Sequence, residues 1–320
     1  MKKTQVYCFK IKTWDNLCLC IRTFSYGFFR GHGNADWKLS TTLERRYCSY
    51  DEEMNLRLKD PKLKEYDTES FKGAFSKKLL YTEEYAAIQT YKRLNLLTEN
   101  SSTIKILARM QHYGAATRLL DVTTSFLIAL FFAFEEYGTQ DRAVWFFNPH
   151  SFYKKSPLVL DKVKNELQLA ERRKIYDDLM SSKEKLYNES LSYADKCFHR
   201  TEPTKKECLS IIPLTITGNN PRLIAQNGAF LFPTTLQSFE NHLFSILNVS
   251  PSDFENMCND VHDFDIRNID LLGLWQAAVI KLIFPADMRC FVEDFLLAAN
   301  ISAQSIYPDE IGIAKSIKYW

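Results

Sequence analysis

The chain has few of the features that mark easily recognised protein classes. Glycine and proline occur only ten times each in 320 residues, which excludes collagen-like and Pro/Gly-rich low-complexity proteins. It contains no apolar run long enough to span a membrane, and its first residues lack the apolar core of a signal peptide. The net charge of +2 gives no general attraction for nucleic acid or anionic lipid. These absences predict a soluble cytoplasmic protein with no membrane partner.

Familiar metal and catalytic motifs are also missing. The eight cysteines form no CxxC pair, and the six histidines show neither HxH nor HxxxH spacing. No dinucleotide-binding glycine motif, P-loop, GxSxG or HExxH pattern occurs. We therefore expect no metal cofactor, and we expect the cysteines to be reduced and mostly buried in the core.

The secondary-structure signals that are present alternate irregularly between strands and helices. Period-two, β-branched or aromatic runs predict strands at residues 5–14 and in "FFRG", "RAVWFFNP", "LSIIPLTI" and "GAFLFPTT", and before Pro285. Helical patterns cover 60–112, the run "TTSFLIALFFAFEEYG" ending at Gly138, and 287–300. The Lys-, Glu- and Tyr-rich segment 153–205 suggests a helical insertion or peripheral segment. This order predicts an α+β fold.

Polar side chains cluster beside these apolar elements. Arg30 ends an apolar strand and is followed by glycine, an arrangement suited to holding a phosphate or carboxylate. The alternative is a structural pair with a nearby acid such as Asp36. A second cluster has Arg118 and Asp121 three residues apart, so that they could pair on one helical turn or clamp adjacent loops. His112 could be either a structurally satisfied histidine or a catalytic one.

The polar run before the long apolar helix has two interpretations. Thr123, Thr124 or Ser125 could cap the helix, because side-chain oxygens accept from its first free N–H groups. Alternatively, the hydroxyls and the free N–H groups could bind an anionic or sugar-bearing ligand. Capping needs only one of the three residues.

Four blocks together resemble the FRG domain family of bacteria and phages. They are Phe29-Arg30-Gly31 with its flanks, the signature from Gln111 to Thr123, "RLIAQNGAFLFP" and "SIYPDEIGIAKSI". The blocks occur in order across residues 28–315, and the segment 153–205 falls between two of them. The resemblance implies a single FRG-type domain over 1–320, with 153–205 inserted within it.

A weaker resemblance links the chain to ADP-ribosyltransferases of the Arg–Ser–Glu type. "FFRG" is similar to their first block, "TTSFLIALFFA" to their Ser-Thr-Ser strand and helix, and "AQNGAFLFP" to the loop that carries the catalytic glutamate. The resemblance implies mixed or antiparallel central sheets flanked by helices, with NAD as cofactor. It also implies catalytic roles for Arg30, Ser125 and Gln226. Further ligand contacts would come from Gly31, His32, Gln111, His112, Arg118, Asp121, Thr123 and Thr124.

One departure from that pattern concerns the catalytic acid. Gln226 stands where the glutamate is expected, and a neutral amide gives less electrostatic stabilisation to a cationic transition state. Either the site is weakened, or an acid comes from elsewhere, with Glu44, Asp121 and Asp309 as candidates.

Three functions follow from these observations. The first is an NAD- or nucleotide-binding protein acting as an ADP-ribosyltransferase or NAD glycohydrolase, in a bacterial or phage toxin or defence effector with a protein or nucleic-acid target. The second is a metal-independent nuclease or nucleotide-processing enzyme that uses His112 or His32, with Arg30 and Arg118 on the phosphate. The third is a non-catalytic ligand-sensing or interaction domain. The first requires that Arg30, Thr123, Ser125 and Gln226 line one pocket.

Overall fold

The computed structural model describes most of the chain. It covers residues 6–46, 82–95, 102–154, 158, 169–198, 209–215, 220–264 and 277–317. The strands there are β1 Val6–Lys10, β2 Phe28–His32, β3 Leu120–Thr123, β4 Arg142–Phe147, β5 Ile211–Leu214, β6 Gly228–Pro233, β7 Val261–Asp263 and β8 Val279–Phe284. Parts of the predicted 60–112 and 153–205 helical regions lie outside these ranges, as do Cys48 and Cys208.

All eight strands belong to one mixed sheet, in the order β5-β6-β3-β2-β4-β8-β1-β7. β1 runs parallel to β7 and β8, and the remaining pairs are antiparallel. The junction between β2 and β3 is unusual because only Phe29 and Thr123 pair across it. Elsewhere β2 pairs with β4 over five residues and β3 with β6 over four. The ladder therefore opens in the middle of the sheet.

Helices cover both faces of the sheet. They are α1 Trp14–Thr23, α2 Thr103–His112, α3 Phe126–Phe134, α4 Pro149–Lys154, α5 Leu169–Met180, α6 Lys183–Cys197, α7 Pro221–Ala225, α8 Phe239–Leu247, α9 Pro251–Asn259, α10 Arg289–Ala298, α11 Ala303–Ile306 and α12 Glu310–Ile317. Helical backbone also occupies residues 42–46 and 82–94. In the described ranges, no helix is both long enough and apolar enough to cross a bilayer.

The strand periodicity explains how the core is divided. Phe29, Val144 and Phe146 point to the face covered by α1, α3 and α10. Their neighbours Phe28 and Trp145 point to the opposite face, under α8 and α9. A third cluster joins β5 and β6 to α2 and α6. Burial on alternating faces is what fixes the register of these strands.

The predicted α+β class is confirmed, with two differences of detail. The strands form a single sheet where more than one was expected, because β3 and β2 remain joined through one residue pair. The predicted strand over 5–14 ends at Lys10, since Thr13 caps a helix by accepting from the amide of Asn16. Cys18 and Cys20 therefore lie on α1 and not on a strand.

The segment 153–205 is helical where it is described, as predicted. Its helices α5 and α6 are amphipathic and bury Tyr176, Leu179, Ala194 and Cys197 in the cluster beneath β5 and β6. The segment thus contributes one wall of the core, although its composition suggested a surface position.

Candidate functional site

The opening between β2 and β3 leads into a cavity of about 690 Å³, a volume typical of small-molecule sites. The cavity floor comes from the two splayed strands, through Phe29 to Gly31 on β2 and Asp121 to Thr123 on β3. The C-terminal end of α2, the loop after α3 and the α7 turn form the walls. The site therefore lies where the sheet lacks its own backbone pairing.

Arg30 bridges the opening with its side chain. Its Nη1 donates to the backbone carbonyl of Asp121 at 2.6 Å, and its Nε donates to His32 Nε2 at 3.0 Å. Burial lowers the pKa of Arg30 to about 10, against the opposing charge of Asp121, so the guanidinium stays positive near neutral pH. The structure thus holds a fixed cation at the cavity floor.

His32 holds the Arg30 side chain in place by a hydrogen bond. Because the Arg30 Nε–H can only donate, His32 Nε2 must accept, and the imidazole is neutral. Burial, followed by the positive charge of Arg30, lowers the pKa of His32 to about 2. His32 is buried and does not line the cavity.

Asp121 supplies a carboxylate to the same cavity. Asp121 is exposed to solvent in the cavity. Desolvation by neighbouring protein atoms raises its pKa above the ordinary value, while Arg30 and a side-chain hydrogen bond from Gln111 act in the opposite direction. Gln111 itself is anchored to the carbonyl of Leu119 and to the Thr117 hydroxyl. A carboxylate and a guanidinium therefore line one cavity.

The cavity brings together most of the residues predicted from the sequence. Seven of them line it: Arg30, Gly31, Gln111, His112, Asp121, Thr123 and Gln226. The other four, His32, Arg118, Thr124 and Ser125, do not. Of the four residues expected in one pocket, only Ser125 lies outside it.

Arg118 has a different partner from the expected one. Its guanidinium forms a buried ion pair with Glu84, with Nη2 and Oε2 2.6 Å apart, and lies 4.7 Å from the centroid of the Phe198 ring. It pairs with Glu84 and not with Asp121, and the helical turn that would bring residues 118 and 121 together is absent, because the chain enters the strand β3 at Leu120. The pair holds the 82–94 helix against the chain before β3.

The three hydroxyl residues before α3 have separate tasks. Ser125 is the helix cap, accepting from the amide of Ile128. The Thr123 hydroxyl donates to the Gln226 carbonyl at 2.8 Å, and the Thr124 amide donates to the Asn227 carbonyl at 2.9 Å. Asn227 has a φ of 44°, which fixes a tight turn there. The hydroxyls thus join the α7 turn, and with it Gln226, to the start of α3.

The three candidate acids fall in different places. Glu44 accepts from the backbone amides of Thr41 and Phe239, and it joins the 42–46 helix to α8. Asp309 accepts from the amide of Ile311 at the start of α12. Asp121 is the one of the three that lines the cavity.

Sequence reasoning missed several wall residues. Arg222 lies 4.5 Å from the centroid of the Tyr307 ring, and the Tyr307 hydroxyl donates to Glu135 at 2.6 Å. Lys315 from α12 also reaches Glu135. Arg222 and Glu135 were visible in the sequence as charges flanking apolar runs, but only the C-terminal helices bring them together. No cluster of His, Cys, Asp or Glu able to hold a metal occurs in the described ranges.

Comparison with protein families identifies part of this structure. Residues 25–142 match the family model of the FRG domain. The chain carries an FRG domain. No curated protein and no solved structure matched in the corresponding comparisons. The matched region holds β2, α2, β3 and α3 and ends at the first residue of β4, while β1, β5, β6, β7 and β8 complete the same sheet from outside it.

The FRG triplet itself has a clear physical basis. Phe29 is buried against α3, and Arg30 points to the cavity from the next position. A Cβ on Gly31 would lie 2.1 Å from the Ala129 carbonyl oxygen and 2.6 Å from the Ala133 amide nitrogen. Glycine is therefore needed here for close packing of β2 on α3.

Proposed function

We propose that the FRG-domain cavity binds NAD or a related nucleotide and is an ADP-ribosyltransferase-like site. The observation that carries the proposal is the convergence of Arg30 and Asp121 on one cavity at the open junction of the sheet. A nucleotide presents phosphates and ribose hydroxyls together. A fixed guanidinium suits the phosphates and a carboxylate suits the hydroxyls, so the residues present fit this ligand class.

Arg30 is the phosphate-binding residue in this proposal. The bonds to the Asp121 carbonyl and to His32 hold its side chain in place before a ligand arrives. Pre-organisation of this kind reduces the entropy lost on binding. Arg222, which also lines the cavity, supplies a second positive charge, which a diphosphate could use.

In this proposal Asp121 supplies the negative charge of the catalytic acid, which the neutral Gln226 lacks. Its carboxylate would accept from a ribose hydroxyl and stabilise positive charge on the ribose as the bond to nicotinamide breaks. When nicotinamide leaves with the bonding electron pair, an ADP-ribosyl cation would remain, and water or a nucleophile on a target would add to it and lose a proton. Gln226 would contact the ligand from the turn that Thr123 holds, and Ser125 would act only through the start of α3.

Calorimetric titration of the purified protein with NAD, ADP-ribose and AMP tests binding, and nicotinamide release tests catalysis. We expect Arg30→Ala to abolish binding, and Asp121→Asn to abolish nicotinamide release while retaining most of the affinity. Arg22→Ala and Asp177→Asn are matched controls, because both residues are exposed and lie outside the cavity. A folded wild-type protein that binds none of the three nucleotides would overturn the proposal.

Two other outcomes have distinct meanings. Binding without nicotinamide release in the wild-type protein would assign a ligand-sensing domain instead of an enzyme. Growth arrest on expression that depends on Asp121 would support a toxin or defence effector, with NAD depletion or a modified protein or nucleic acid as its result.

Cleavage of a phosphodiester is the second candidate function, and the position of His112 favours it. His112 lines the cavity near Arg222, and partial burial with that positive charge lowers its pKa below the ordinary value. A neutral imidazole beside cations could remove a proton from an attacking hydroxyl. Loss of RNA or dinucleotide cleavage in His112→Ala, with NAD binding retained, would select this function. His32 does not suit the role, because its low pKa and buried position exclude it from proton exchange near neutral pH.

A further inference from the structure

Two large aromatic side chains lie exposed at one end of the cavity. Trp37 is 58% exposed and Tyr137 is 69% exposed, and both line the cavity. Leaving apolar surface of this size in water has a free-energy cost of about 25 cal/mol per Å². Exposed aromatics that border a polar, arginine-containing cavity are a recurrent feature of sites for planar ligands.

A buried arginine fixes the two loops that carry these rings. Arg142 is only 2% exposed, and its guanidinium donates to four backbone carbonyls. Gly33 belongs to the loop that carries Trp37, whereas Glu136, Gly138 and Gln140 belong to the loop that carries Tyr137. One side chain thus sets the spacing of the two loops.

Each ring is also supported by contacts of its own. The Trp37 ring meets the His32 ring edge-on, with centroids 6.1 Å apart. Arg289 lies 4.3 Å from the centroid of the Tyr137 ring and donates to the Glu136 carbonyl. The rings are therefore held in place while most of their surface remains accessible.

We propose that Trp37 and Tyr137 form a ring-binding subsite, which stacks on the planar base of the ligand whose phosphate Arg30 holds. The subsite deepens the proposed function and rests on it for the anionic half of the ligand. Stacking of a base on an aromatic side chain contributes about 1–3 kcal/mol, so removing one ring should weaken binding about 5- to 150-fold. Arg142 acts on the subsite through the two loops that it joins.

AMP and ribose 5-phosphate separate the two halves of the ligand, since only AMP carries the base. We expect Trp37→Ala and Tyr137→Ala each to weaken AMP binding by at least about fivefold and to leave ribose 5-phosphate binding unchanged. Tyr26→Ala is the matched control, because Tyr26 is 56% exposed and lies outside the cavity. Trp37→Phe should retain most of the AMP affinity, because it keeps an aromatic face.

Tryptophan fluorescence gives a second readout that does not depend on large truncations. AMP should quench the wild-type emission, and the quench should be lost in Trp37→Phe. Equal AMP affinity in the wild type and both alanine variants would overturn the ring-binding subsite and leave the proposed function standing. If the folded wild-type protein binds none of NAD, ADP-ribose and AMP, both proposals are overturned.

Discussion

Arg30 Nη1 donates to the backbone carbonyl of Asp121 at 2.6 Å, across the place where β2 and β3 separate. In a continuous ladder a strand amide would donate to that carbonyl. Here the side chain replaces it, since the strands share only the pair of Phe29 with Thr123. The same contact therefore links β2 to β3 where backbone pairing stops, and it fixes a cation at the floor of the cavity.

Arg30→Lys tests whether nucleotide binding needs the planar guanidinium group of Arg30 as well as its positive charge. A lysine keeps the charge but cannot donate to the Asp121 carbonyl and to His32 in the same geometry. We expect nucleotide affinity to fall at least about tenfold, which a titration would measure. Unchanged affinity would mean that charge alone is sufficient.

The protonation of Asp121 predicts how nucleotide turnover responds to pH. Desolvation raises the pKa of this carboxylate, so protonation begins at a higher pH than for an ordinary aspartate. Turnover that needs the ionised form is present above the raised pKa and is lost as pH falls through it. A pH–rate profile of nicotinamide release should show this acid limb. A limb at the pKa of an unperturbed aspartate would argue against the assignment.

Gly31→Ala should severely destabilise the protein. The new methyl group would overlap backbone atoms of α3, which cannot move aside as a flexible side chain can. We expect a loss of about 3 kcal/mol or more in the free energy of unfolding, measured by chemical denaturation. Gly33→Ala is the matched control, because the nearest atom to its Cβ is 3.6 Å away. Its stability should change by less than about 1 kcal/mol. Equal effects of the two substitutions would contradict this account of the triplet.

The buried pair of Arg118 and Glu84 predicts a different stability effect. Glu84→Gln leaves a buried guanidinium without its countercharge, which typically costs about 3–5 kcal/mol. Removing both charges, in Glu84→Leu with Arg118→Met, should recover part of that loss. Asp177→Asn breaks an exposed pair with Arg173 and should change stability by less than about 1 kcal/mol. A Glu84→Gln protein as stable as the wild type would show that the pair is dispensable.

Glu44 predicts a pH dependence of stability. Burial, with a smaller contribution from the nearby Glu240, raises the pKa of Glu44 from 4.5 to about 7. The folded state favours the protonated form of Glu44. The stability that this group contributes is therefore complete below its pKa in the unfolded chain, and it is lost as pH rises to about 7. We expect the difference in unfolding free energy between the wild type and Glu44→Gln to change between about pH 5 and about pH 8. A constant difference across that interval would contradict the raised pKa.

Local patterns were sufficient for much of the fold. The aromatic strand around Phe29, the strand from Arg142 and the apolar helix from Phe126 are short apolar runs in the sequence, and each forms the predicted element. The strand predicted over 5–14 was too long, because the cap at Thr13 ends the extended segment. A one-residue capping signal is easily outweighed by neighbouring β-formers in a sequence pattern.

Only part of the candidate site could be predicted from the sequence. Arg30, Asp121 and His112 were identified by residue type beside apolar elements, and they line one cavity. Ser125 and Arg118 were equally prominent, yet one caps α3 and the other pairs with Glu84. Polar residues beside a core element look alike in sequence, whether they bond to backbone or face a cavity.

The sequence by itself determined the α+β class, the strand and helix faces, and the FRG triplet with its accompanying signature. Only the tertiary structure decided which acid shares a cavity with Arg30, because Arg30 bonds to the backbone carbonyl of Asp121 across the opening between two strands that are almost a hundred residues apart in the chain. The ring pair of Trp37 and Tyr137 depends likewise on Arg142, which joins two distant loops. Local sequence patterns predict secondary structure and which side chains are buried. The position of this cavity depends instead on where backbone pairing between distant strands stops.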